Sequence, residues 1–141
     1  MRVKRLPGCE DLPLPARATE GAAGFDLYSA ADVHLFVGEL TSVPTGIAVE
    51  IPLHCVGLLL GRSGLAFKHG VTVGHVGTID SDFRGEVKVL LEAKTAGLYV
   101  RRGVRIGQLL ILPLGVSGPL VEAHDLTETV RGTAGFGSTG T

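Results

Sequence analysis

Apolar residues along this chain come in short blocks separated by turn-forming residues. Val33 to Phe36 is closed by Val37-Gly38, Leu40 to Val43 by Pro44-Thr45-Gly46, and Ile47 to Ile51 by Pro52. Turn signals at intervals of about 8–12 residues are those of a β-sandwich or barrel. Further strand-length blocks stand at Val3 to Leu6, Val56 to Leu60, Val71 to Val73, Val87 to Glu92 and Ile106 to Leu114. Val71 to Val73 and the Gly74-His75-Val76-Gly77 loop read as one arm of a hairpin whose return starts at Gly77. Pro13 and Pro15 force an extended, irregular passage near the start. Helix-length stretches free of Gly and Pro are scarce, since the chain holds 21 Gly and 7 Pro. The pattern predicts an all-β domain.

With 141 residues the chain is long enough to bury one core. A formal net charge of -1 argues against a general nucleic-acid or anionic-membrane surface, while leaving room for a small anionic ligand. The basic cluster Arg101, Arg102 and Arg105 reads as a solvated loop and edge. Cys9 and Cys55 are too few for a disulfide framework, lack metal-ligand spacing and are expected as free thiols. No apolar run approaches a membrane span, and no signal peptide is evident, which together predict a soluble intracellular protein of cytoplasm or nucleus.

Chemistry concentrates in Gly77 to Glu86, Gly-Thr-Ile-Asp-Ser-Asp-Phe-Arg-Gly-Glu, in a chain where only 19% of residues are charged. If extended, the segment places Asp80, Asp82 and Arg84 on one face. If it turns between Asp80 and Gly85, Asp80 stands at a strand end and projects into a cleft. Either geometry makes Asp80 a candidate base; the plain alternative is a solvated turn with Arg84 as ion-pair partner.

Three other stretches carry polar groups in apolar or glycine-rich surroundings. Asp26 follows Gly24-Phe25 and needs a partner, either an arginine or a hydrated cation. Gly61-Arg62-Ser63-Gly64 ends an apolar block with a guanidinium, a hydroxyl and free backbone amides, groups that suit phosphate oxygens, although so short a motif is weak alone and a Ser-Gly turn opening a short helix at Leu65 is the plainer reading. Gln108 sits in an apolar run and wants hydrogen-bond partners. The tail from Arg131 to Thr141 reads as a disordered terminus, or as an arm that orders over a ligand and stacks Phe136 on a flat ring. His69 and His75 lack the spacing of a zinc site.

In this order, Ala23 to Leu27, Arg62-Ser63-Gly64, Gly77 to Glu86, Gly103 to Leu109 and Arg131 to Gly140 resemble the five motifs of the trimeric deoxyuridine triphosphatase (dUTPase) family. The resemblance spans nearly the whole chain. It implies a jelly-roll-like β-sandwich or barrel subunit (residues 1–130) with a C-terminal arm (131–141) exchanged between subunits of a homotrimer. It also implies hydrolysis of dUTP to dUMP and pyrophosphate with Mg²⁺ on the triphosphate. That reaction limits uracil in DNA and supplies dUMP for thymidylate synthesis.

Residue by residue, the resemblance implies that Asp80 activates the attacking water and that Asp26 reaches Mg²⁺ through water. Gln108 would stand near the α-phosphate. Arg62, Ser63 and Gly64 would hold phosphates, with Arg131, Ser138 and Thr139 on the γ-phosphate end. Phe136, beside Gly137, would stack on uracil. Backbone groups of Gly74, Gly77, Thr78 and Ile79 would read the base, Phe83 would pack under the deoxyribose, and Lys88 joins the substrate-binding set. The chain departs from the family pattern at Phe83 (commonly Tyr), Gly74 (commonly Asn), Gly61 (Pro), Gly107 (Ala) and Ala134 (Gly). Two other readings are a dUTPase-like binding or signalling module, motivated by those departures, and the related dCTP deaminase, for whose amine displacement no motif is seen.

Overall fold

The computed structural model describes residues 1–116 and 118–135. Its strands are β1 (Arg2–Arg5), β2 (Phe25–Tyr28), β3 (Val33–Leu35), β4 (Leu40–Pro44), β5 (Ile47–Glu50), β6 (Cys55–Leu60), β7 (Val71–Val73), β8 (Gly77–Ile79), β9 (Lys88–Ala93), β10 (Leu98–Val100) and β11 (Arg105–Pro113). A single seven-residue helix, α1 (Ser63–His69), stands among them and ends on Gly70 in the left-handed conformation at φ 61°. The all-β expectation holds, and the short helix expected from Leu65 opens two residues earlier, at Ser63.

Two larger sheets enclose the core. One has the order β2-β11-β6-β8 and the other β4-β9-β7, while β1-β5 and β3-β10 form two-stranded ribbons. Strand partners are distant in sequence and antiparallel: β11 lies between β2 and β6, and β9 lies between β4 and β7. Period-two burial explains the arrangement. Along β9, Val89, Leu91 and Ala93 point inward and alternate with Lys88, Leu90 and Glu92. They meet Leu27, Leu59, Ile79, Ile106 and Leu109 from the opposing sheet in one apolar cluster. Removing such area from water is worth about 25 cal/mol per Å², so the central strands carry most of the stabilisation.

Two expectations need correction. β7 and β8 do not form a hairpin: β7 pairs with β9, and β8 pairs with β6, so the chain between Gly74 and Val76 crosses from one sheet to the other. Each strand finds a longer apolar partner than the other could offer. The Leu98–Val100 strand was not foreseen, because three residues between Gly97 and Arg101 carry too little periodicity; its pairing with β3 supplies what local pattern lacks.

After Pro113 no strand or helix occurs among the described residues. Leu120, Val121, Leu126 and Val130 along this stretch are almost fully exposed. Among the described residues no helix is long and apolar enough to cross a membrane, and both cysteines are free.

Candidate functional site

The strongest polar cluster is built on β2, β11 and the end of β6. Asp26 is only 3% exposed. It lies opposite Gln108, which in turn lies opposite Leu60, two residues before Arg62. Gln108 Nε2 donates to Asp26 Oδ1 at 3.0 Å, and Arg62 Nε stands 3.5 Å from the same oxygen. Arg105 Nη1 donates to Oδ2 at 3.1 Å. A carboxylate this deep requires compensation, and two guanidiniums with one amide supply it. Gly24 makes the approach possible, since a Cβ there would stand 3.0 Å from the Gln108 Cβ and 2.9 Å from Leu110 Cδ1. The element that comes close at Gly24 is β11.

Arg105 is exposed at the start of β11, in keeping with a solvated edge, yet both it and Arg102 have partners. Arg105 pairs with Asp26, and Arg102 ties together loops from three parts of the chain. The Arg102 guanidinium donates to Asp11 Oδ1 at 2.7 Å, to the Gly8 carbonyl at 3.0 Å and to the Ala30 carbonyl at 3.1 Å. Its hydrogen bond to Asp11 holds that carboxyl below the usual carboxylate range. The signal available in sequence was the Ile106-Gly107 pair after Arg105, where a glycine in a strand marks a bulge.

Asp80 sits in a different setting. It follows the last residue of β8 and is exposed, and its carbonyl accepts from Phe83 N at 3.1 Å across a turn. The turning geometry is therefore the one adopted. Arg84 does not pair with Asp80 or Asp82 among the described residues; its Nη1 donates to the carbonyls of Ser81 at 2.7 Å and Phe83 at 2.8 Å. The Phe83 ring lies over Gly85, where a Cβ would fall 2.6 Å from Cζ. Beyond the loop, Glu86 accepts from Gly46 N at 2.9 Å and Val87 N donates to the Ile47 carbonyl at 2.9 Å. The loop is thus held by backbone bonds at both ends, leaving the Asp80 carboxylate facing outward.

These two centres do not meet within one chain. The β6–β8 register sets Ile79 against Gly57 and hence Asp80 against Val56. Arg62 lies beyond the other end of β6, on the order of 20 Å away at about 3.3 Å per residue. Gly77 and Thr78 lie along β8, with Gly77 opposite Leu59, and Gly74 lies in the crossing segment. Gly74 N donates to the Leu90 carbonyl at 3.0 Å, and any Cβ at position 74 would run into a methyl of Leu40. A cleft of about 390 Å³ runs beside Arg62 and Ser63, with Val73 and Val76 on its other wall. Gly64 has open space around it, and Lys88 stands 3.9 Å from Glu86 at the start of β9. Arg131 is exposed, its carbonyl taking the Ala134 N–H at 3.1 Å. Phe136, Gly137, Ser138 and Thr139 lie outside the described residues.

Among the described residues no group of three or more His, Cys, Asp or Glu could hold a metal ion. Asp26 alone offers a carboxylate, and its Oδ2 has one side-chain partner where a carboxylate oxygen accepts about two. That donor set fits a hydrated ion whose other ligands come from a bound anion, and does not fit a cage of protein ligands.

A family model for dUTPase matches residues 10–140. A deoxyuridine 5'-triphosphate nucleotidohydrolase of Methylocella silvestris is 51% identical over 98% of this chain and 89% of its own length. The Thermoanaerobacter enzyme of the same name is 42% identical over 99% of this chain and 97% of its own length. Among solved structures, a variant of the Staphylococcus bacteriophage 80alpha dUTPase with dUpNHpp superposes with a TM-score of 0.90 at 27% identity, covering 99% of this chain and 98% of that one. A phage phi11 dUTPase variant, described as coordinating a structural Mg(II) ion, gives a TM-score of 0.80 at 23% identity over 90% of this chain and 98% of that one.

Proposed function

The chain belongs to the dUTPase family, and from that premise we propose how its residues carry the reaction. It is a dUTP diphosphatase, hydrolysing dUTP to dUMP and pyrophosphate. The observation that carries the proposal is the placement of Asp80 and Arg62 at opposite ends of β6.

Because no single chain brings Asp80 to Arg62, the reaction centre forms between copies. Asp80 of one subunit faces the Arg62-Ser63-Gly64 loop of another, which a symmetric trimer repeats three times. The exposed apolar side chains of Leu120, Val121, Leu126 and Val130 support the same arrangement, since a segment this apolar gains by packing on a neighbouring subunit. Asp80 is the base that orients and deprotonates the water attacking the α-phosphorus. At its exposed position at a strand end the carboxylate has no side-chain partner among the described residues. Arg62 and Ser63 hold phosphate oxygens and offset charge on the departing pyrophosphate. Gln108 positions the α-phosphate, and Arg131, Ser138 and Thr139 take the γ end while Phe136 covers the base, with Gly137 beside it.

Backbone groups from Gly74 to Ile79 read uracil, and unpaired buried groups are the penalty that rejects other bases. Phe83 packs under the deoxyribose, its ring fixed by Gly85. Asp26 would hold a hydrated Mg²⁺, which when bound would supply positive charge to the phosphates.

Proton release with dUTP, dCTP, dTTP and UTP tests the reaction and its selectivity: release with dUTP alone is expected, and equal release with UTP would remove Phe83 from its role. Subunit mixing tests the shared site. Asp80→Asn and Arg62→Ala trimers are each inactive; exchanged together they regain about a quarter of wild-type sites if the site spans two chains, and none if it does not.

A further inference from the structure

β11 contains a register shift between Arg105 and Gly107 on its β2 side. Gln108 pairs with Asp26 and Gly107 with Leu27, yet Tyr28 is opposite Arg105, so one residue of β11 is unmatched. In an unbroken strand Arg105 and Gln108, three positions apart, would face opposite sides. The extra residue turns Arg105 onto the face of Gln108, and both reach the same carboxylate. Gly107 fits this tight passage because a Cβ there would sit 3.2 Å from the Leu60 carbonyl.

The three partners of Asp26 are not equivalent. Arg105 and Gln108 hydrogen-bond it at 3.1 and 3.0 Å from within the same sheet. Arg62 stands off at 3.5 Å from Oδ1 and also reaches the Arg105 carbonyl at 3.4 Å, both long contacts made from a loop. We infer that Arg105 is a positioning residue, the permanent counter-charge of Asp26, which lets Arg62 leave Asp26 for the triphosphate without stranding a buried anion. This rests on the functional reading above, in which Arg62 binds phosphate. Arg62 is then the exchangeable partner, and a hydrated cation near Asp26 takes its place. Without Arg105, releasing Arg62 would leave Asp26 with Gln108 alone unless the cation is already there. Nucleotide binding would become dependent on the metal.

The test is the affinity of a non-hydrolysable imido analogue of dUTP, measured by calorimetry with Mg²⁺ and again in EDTA. In Arg105→Met the ratio of the two dissociation constants should rise by roughly tenfold over wild type, the size of a coupling between groups in one network. Arg105→Lys, which keeps the charge, should return the ratio towards wild type. If Arg105→Met weakens both affinities equally, the residue only supports the fold and the inference fails. Absence of wild-type binding in both buffers would defeat the functional reading itself and the inference with it. Should Arg105→Met not fold, side-chain Nε NMR of the wild-type protein decides. On adding the analogue in EDTA the Arg62 signal should move while that of Arg105 stays; an unmoved Arg62 signal overturns the proposal.

Discussion

Asp26 and Asp80 are both aspartates at the same sheet, and the fold treats them in opposite ways. Asp26 is 3% exposed, on β2 where it pairs with β11, with both oxygens engaged by side chains. Asp80 is exposed just past an edge strand, in a loop whose order comes from backbone bonds and from Arg84 capping two carbonyls. The first carboxylate is bound into the stability of the domain. The second adds little to it and is available for chemistry. A protein that must move a proton at one position and hold charge steady at another gains from separating the two.

That contrast can be tested from its strongest consequence downward. Asp80→Asn should reduce dUTP turnover by about 10³-fold, as expected for removal of a general base, while the urea unfolding midpoint stays where it was. A large loss of stability would mean Asp80 is structural after all. Asp26→Ala should act on stability as well as on nucleotide binding. Leaving two arginines without their buried partner should cost about 2–3 kcal/mol of unfolding free energy, read from denaturant curves. An unchanged curve would show that the cluster contributes only to binding.

Gly85→Ala sharpens the account of the exposed loop. The added methyl displaces the Phe83 ring, so KM for dUTP should rise by roughly tenfold and preference for dUTP over UTP should narrow, with folding intact. The smallest effect concerns an exposed pair that touches neither carboxylate. Arg102 keeps the Asp11 carboxyl below its ordinary range. Its folded value therefore lies under its unfolded one, so the pair's contribution is complete above the ordinary carboxylate value and lost as pH falls through the lowered one. The difference in urea midpoint between wild type and Asp11→Asn should be small at neutral pH and vanish in acid.

Much of this was legible in the chain. Period-two apolar blocks and closely spaced turns predicted the strands and the all-β class, because alternation and turn chemistry are local properties. The strand-end position of Asp80 was one of two geometries left open by the sequence, the one suggested by Ser-Asp and Arg-Gly, again a local signal. The partners of Asp26 were open between arginine and cation, and within the chain the answer is arginine. The contact of Arg105 with Asp26 was missed, since the shift in register that brings them together is not a local signal. Leu40 covering Gly74 was also invisible, because the two lie on β4 and on the crossing segment between sheets, brought together only by β9.

The sequence by itself determined which residues alternate, where the chain turns, and which polar groups sit in apolar surroundings needing partners. Only the tertiary structure decided which partners those are. Strand pairing here joins segments far apart in the chain, and one bulge reverses the face a side chain presents. Neither is recorded in local pattern, because both depend on the relative placement of strands that meet only when the core closes.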